Sequence, residues 1–425
     1  MSTSKVKVRE RFLMPGSQRH ILVRRVAIIA ALLGPLFASL TSPAAEAKRD
    51  TRPILAVGNS YDGTVNFIDA RRLRRMGPPL NVIPDGPTPQ DPKQAALYNL
   101  IISSRGEHNF AQEVDFSPNG KILYVSRGYL GDIAAFSVAR RTMLWRLQLP
   151  SLRADHLTVS PDGSTIFATS LPGNQVYAIS AATHQIVGSY EAGTYPHVLE
   201  FSPNGRYLYS GSLGNQLAPY GQDNGVHELA VADPRTLQVV RTYPFAAGVR
   251  PFAFSENGRS LVLQLSYFNG FEVLNLQSGQ VVRTVNLPLL GPGLALAPAD
   301  YPNAAAHHGI DVSGPTVCDA GTISNYVALA TLRTGKVEKI IHVGQAPGEA
   351  LTSLDGRDCY VTNRGPTGLD PAPVPKSQGD SASVIDYRTG RVRTIAVGRH
   401  PQSEATAKIP AAVLRRGGLL HGRRG

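Results

Sequence analysis

A five-residue phrase recurs along this 425-residue chain and constrains its fold more than any other feature. An apolar residue or threonine precedes Ser, a variable residue (usually Pro), Asn or Asp, and Gly. Clear copies stand at 116–120, 159–163, 201–205 and 254–258, and a looser one at 352–356. The first four glycines are 43, 42 and 53 residues apart, and the last follows after 98, about two more periods. Self-similarity at roughly 40 to 50 residues marks a propeller or a solenoid. Asx-Gly after an apolar run supplies tight-turn positions where φ > 0 is tolerated, and the flanking runs alternate as half-buried strands do. Around each turn the pattern predicts four antiparallel strands, for example over 196–201, 207–210, 226–233 and 238–244, which together make one propeller blade.

Second strands near Ile54, Ile122, Ile166, Tyr207, Leu261, Thr316 and Cys359 predict an all-β, seven-bladed β-propeller of four-stranded antiparallel blades. The sixth blade, around 308–313, is degenerate at its turn, which leaves six or eight blades as alternatives. Ahead of the first full phrase, 54–59 and 64–69 read as a second and a third strand with no first strand before them. The segment 398–405 reads as the start of a first strand with nothing after it. A C-terminal strand completing the N-terminal blade closes the ring and removes its free edges, which favours a monomer.

Residues 1–47 are expected to be a signal peptide, of the Sec type. Basic residues up to Arg24 and Arg25 precede the apolar run 26–40, and Ala45-Glu46-Ala47 has a small-x-small cleavage pattern. That run is shorter than the ~20 apolar residues of a membrane span, and retention as an uncleaved anchor is the alternative. No later stretch is apolar enough to span a bilayer, so the expectation is an exported protein, secreted or periplasmic. Residues 48–407 are expected to form the single propeller, and 408–425 a basic, disordered tail. Seven basic and two acidic residues precede Lys48, which reduces the formal charge from +12 to +7 for the rest. That excess is diffuse and partly held in the tail, so polyanion or nucleic-acid binding ranks last. Cys318 and Cys359 are the two cysteines, early in second strands of adjacent blades. Export permits a disulfide, whereas sheets packed about 10 Å apart favour two buried thiols. No Cys-x-x-Cys-His is present, so covalent haem is not expected.

If each Asx-Gly turn joins strand one to strand two, all such turns share one face of the disc. The long insertions 84–109, 213–225, 289–306 and 365–380 all fall in connections belonging to the other face. Loops carry function on a rigid scaffold, so the elaborated face is the expected working face. Near the beginnings of first strands stand His108, His156, His197, His307, His308 and His400, with Arg250 and Glu349 at the matching points of two further blades. First strands line the axis, so these residues are expected to ring its mouth as ligand-binding groups. Arg127, Tyr267 and Arg364, beside the loops between second and third strands, are expected to join them. Imidazoles with Asp155, Glu113 and Glu349 nearby could hold one transition-metal ion, for which His156, His197 and His308 are the candidate ligands. The alternative is that these histidines are wet caps of strand ends.

The recurring turn phrase, followed by strands such as 122–126 and by Tyr360-Val361-Thr362-Asn363, resembles the YVTN-repeat family of exported bacterial β-propellers. Segments such as Ala154-Asp155-His156, Tyr195-Pro196-His197 and Ala306-His307-His308-Gly309 are similar to an uncharacterised branch of it. The resemblance covers most of the chain after residue 47; it implies architecture and export, and carries no catalytic motif. The first functional expectation is therefore a propeller that binds a small ligand, glycan or protein at the loop-rich face without turnover. The second is a metal-dependent hydrolase, lyase or oxidoreductase with its site on the axis.

Overall fold

The structure, a computed structural model, describes residues 50–105, 108–365 and 379–420. The expected leader lies outside the described residues, as does most of the insertion at 365–380.

The recurring phrase folds as its chemistry dictates. In the first copy Gly120 adopts φ +65°, its N–H donates to the Ser117 carbonyl, and the Ser117 hydroxyl accepts from the Ile122 N–H. Asn119 accepts through Oδ1 from the Ser117 hydroxyl and the Lys121 N–H. The same serine-to-Asx bond recurs at Ser160, Ser202, Ser255 and Ser353. Serine and Asx thus satisfy donors that the reversal exposes, and glycine supplies the left-handed residue.

Seven antiparallel sheets result. Their innermost strands are Glu113–Phe116, Arg153–Val159, Pro196–Phe201, Val249–Phe254, Ile310–Ser313, Pro347–Thr352 and Pro401–Pro410. Each touches the next in that order and the last touches the first, so the ring closes. Closure is made by Pro401–Pro410, which pairs antiparallel along the whole of Thr51–Asn59, from Pro410 opposite Thr51 to Pro401 opposite Asn59. Thr51–Asn59 then pairs with Thr64–Asp69, whose outer neighbour is split into Arg74–Arg75 and Leu80–Asn81. The degenerate sixth blade is a complete four-stranded sheet in which Ser313 sits opposite Thr316 across a short turn.

Side chains alternate between the two faces of each strand, so the hydrophobic clusters lie between blades. One joins Ile54, Ala56 and Phe67 of the first blade to Val114, Leu123, Val125 and Phe136 of the second. Polar clasps add direction: Asp115 accepts from the Val159 N–H of the next blade, and Asp311 from the Thr352 N–H of its neighbour.

Two expectations are resolved or corrected here. Cys318 and Cys359 form a disulfide between the sixth and seventh blades, with Cα atoms 6.6 Å apart. Wedge-shaped blades converge toward the axis, so their second strands approach more closely than flat stacked sheets do. Residues 408–420 of the expected tail are structured. The closing strand runs to Pro410, a helix follows over Ala411–Arg416, and Leu414 and Leu419 are buried in the first cluster. The basic residues mark only the outer side of that segment, while its leucines face the blade. Among the described residues no helix is long and apolar enough to cross a membrane.

Candidate functional site

Antiparallel connectivity places the insertions 84–109, 213–225 and 289–306 on the face opposite the serine turns. The first carries the helix Pro92–Arg105, capped by Asp91 through the Gln94 N–H and tied to the rim by the Gln94 side chain, which donates to the Tyr129 and Leu152 carbonyls. All three insertions wall a cavity of about 780 Å³ over the axis, contributing among others Leu97, Leu217, Tyr220 and Tyr301.

Six tyrosines, four histidines and three arginines line it, against one acidic residue, Asp155. Five of its non-glycine residues, Tyr195, Tyr267, Asn303, Ala304 and His400, hold positive φ between 50° and 64°. Such backbone costs on the order of 1 kcal/mol or more per residue and persists where the surroundings fix it, commonly at ligand sites.

At the floor two imidazoles are oriented by carboxylates. His156 Nδ1 lies 2.6 Å from Glu113 Oε2, and His197 Nδ1 lies 2.5 Å from Asp155 Oδ2. The two rings meet edge to face at 4.3 Å. Both Nε2 atoms are buried and without a hydrogen-bond partner. Burial opposes charge on His156, but Glu113, helped by Asp155 and Glu349, outweighs it and raises the pKa to about 9. Burial dominates at His197, which falls to about 3 despite Asp155. Burial also opposes charge on Asp155, yet Arg153 and His197 hold it below the usual carboxylate range.

Above the pair, His308 accepts at Nδ1 from Arg364 Nη2 at 2.9 Å, so its own proton sits on Nε2. Burial and the neighbouring Arg364 keep it neutral, well below the ordinary histidine value. Arg250 is buried and donates to the Ser266 hydroxyl, the Gln216 amide oxygen and the Asn303 carbonyl, all uncharged. Burial lowers its pKa to about 10, still charged at neutral pH.

His108, His197, Arg250, Tyr267, His308, Arg364 and His400 therefore line one cavity. His156 and Glu349 lie beneath it, coupled electrostatically to one another. Two expected site residues are not among those lining the cavity. Arg127 is buried between Asp85, at 2.6 Å, and Asp132, at 2.6 Å, and pins the first insertion to its blade. His307 is held on both ring nitrogens, by Asp319 and Asn269, and does not line the cavity.

Sequence reasoning passed over Arg153, most of the tyrosine wall and Glu404. The last had a signal: Pro401-Gln402-Ser403-Glu404-Ala405 echoes Pro347-Gly348-Glu349-Ala350 with one residue added. No protein-family model matches this chain, and neither does any curated protein.

Proposed function

We propose that this chain is an exported propeller of the YVTN-repeat type that binds a small organic anion, a carboxylate or phosphate, in the cavity at its loop-rich face. The observation that carries the reading is the lining itself, three arginines against one carboxylate in a walled space of about 780 Å³. A cavity of that size fits a drug-sized or sugar-sized molecule rather than a folded partner. Arg250 and Arg364, with the Nε2 proton of His308, present donors at the floor, and the tyrosine wall suits the ring or hydroxyl-bearing body of such a ligand.

Calorimetry against a panel of carboxylates, phosphates and neutral sugars tests it. Binding confined to anions, weakened at least tenfold by Arg250→Gln, supports the reading; binding confined to neutral sugars, or none across the panel, removes it.

A second reading, metal-dependent hydrolysis, elimination or redox chemistry at the floor, is favoured by the two carboxylate-held imidazoles with free Nε2 atoms. It requires turnover of a bound anion that is lost in His197→Gln.

A further inference from the structure

Beneath the cavity floor, the polar atoms of the axis form an arc over consecutive blades. Val114, Leu157, Ala350 and Ala405 point into blade cores, so the residue preceding each turns to the opposite face of its strand. Those residues are Glu113, His156, Glu349 and Glu404. His156 and Glu349 share a further mark of equivalence: each donates its backbone N–H to a threonine hydroxyl of the second strand, Thr169 or Thr362, at 2.9 Å. Glu113 and His156 meet at 2.6 Å across a blade boundary. Glu349 is influenced by Glu113 and His156, and Glu404 by Glu349 and Glu113.

The arc is unsatisfied. His156 Nε2, His197 Nε2, Glu349 Oε2 and both oxygens of Glu404 are buried without a hydrogen-bond partner. His156, His197 and Glu404 are 5%, 3% and 5% exposed. Buried polar atoms are nearly always paired, and these orphans, once deprotonated, are all electron-pair donors that one shared positive partner would satisfy. The histidines are held as metal-ligating histidines are, with Nδ1 on a carboxylate and Nε2 turned outward. Ligand atoms of Asp155, His156 and His197 lie within 4.8 Å of one another. Asp155 lies 2.9 Å from Arg153 through Oδ1 and 2.5 Å from the His197 ring through Oδ2, which makes it the orienting group, whereas Glu349 and Glu404 bring buried carboxylate oxygens without a hydrogen-bond partner.

We infer that the propeller axis binds one divalent transition-metal ion through Nε2 of His156 and His197, completed by a carboxylate of Glu349 or Glu404. Imidazole and carboxylate without thiolate suit zinc, manganese or ferrous iron. His308 is not a ligand: Arg364 donates to its Nδ1, so its Nε2 carries the proton and offers a donor to whatever occupies the cavity above. Ion binding underlies the catalytic reading but does not require it, because an ion held without turnover removes that reading and leaves this one standing.

The test is elemental mass spectrometry of the untagged chain, with titration of the chelator-treated protein by Zn²⁺, Mn²⁺ and Co²⁺. About one equivalent per chain is expected, with a visible Co²⁺ absorption band of nitrogen-oxygen coordination. His197→Gln should weaken binding at least a hundredfold while leaving the circular dichroism and the melting temperature of the metal-free protein close to those of the parent. Glu349→Gln and Glu404→Gln should divide, one losing at least tenfold in affinity. Failure of the parent to take up any of the three ions at millimolar concentration, leaving water as the partner of these atoms, overturns the inference. Equal uptake by the parent and a folded His156→Gln, His197→Gln variant does so too.

Discussion

The two faces of this disc are built from the same blades by opposite rules. On the turn face, one short phrase is repeated with the same serine, Asx and glycine bonds. On the opposite face the connections differ in length and buried polar atoms of the axis below stay unpaired, while non-glycine residues at positive φ occur on both faces. In five of the seven blades this repetition satisfies the local backbone donors and leaves nothing over for a ligand. The elaborated face accepts orphaned polar atoms, whose cost the regular remainder offsets.

The largest break of this contrast should come at Arg127, where an insertion is fastened to the scaffold. Arg127→Ala leaves Asp132 buried without its main partner and should cost about 3 to 5 kcal/mol in denaturant unfolding. An unchanged midpoint would mean that the insertion holds itself. Cys318→Ser, removing a bond across a sequence separation of 41, should cost about 3 kcal/mol. Equal stability of the reduced and oxidised parent would contradict that figure.

Acidity sharpens the comparison through the histidines. His197 and His400 are lowered from 6.5 to about 3, chiefly by burial, so the unfolded chain takes up protons that the folded chain refuses. Stability should therefore rise with pH from about 3 to about 6.5, by up to ~1.4 kcal/mol per unit for each group. His156 acts in the opposite sense, its contribution complete below 6.5 and lost as pH rises through about 9. Urea midpoints measured in chelator across this range should peak near neutrality, and His400→Gln should flatten the acid limb.

Smaller effects separate the faces most cleanly. Gly205→Ala, at φ +67° with Pro161 2.9 Å from the added carbon, should cost about 1 to 2 kcal/mol without touching ligand affinity. Leu217→Ser, at a side chain 75% exposed on the cavity wall, should change stability by less than about 0.5 kcal/mol yet alter ligand affinity. The reverse pattern would dissolve the distinction between faces.

The architecture was legible because its information is local: Ser-Pro-Asx-Gly fixes a turn wherever it occurs, and alternation on either side fixes the strands. Even the closing strand could be read, since 54–69 lacked a first strand and 398–405 lacked a second. The tail misled because Arg415 and Arg416 dominate its composition, while Leu414 finds its pocket only once the first blade exists. Within the site, alignment to the turns brought His156, His197 and His308 to the axis, but it could not distinguish a free Nε2 from a protonated one. That difference is set by Glu113, Asp155 and Arg364, which come from neighbouring blades. Arg127 and His307 looked equivalent to site residues for the same reason, as their partners Asp85 and Asn269 lie 42 and 38 residues away.

The strand that closes the ring also orders events in time. Ser60 donates its hydroxyl to the carbonyl of His400, 340 residues later, and the whole of Thr51–Asn59 waits for Pro401–Pro410. During synthesis the first blade is thus the last to be completed, and until the final strand emerges both ends of the ring present bare strand edges to whatever is nearby. Contacts so distant in sequence fold slowly. The ring therefore cannot close before Pro401–Pro410 has been made, however many of its blades are already formed.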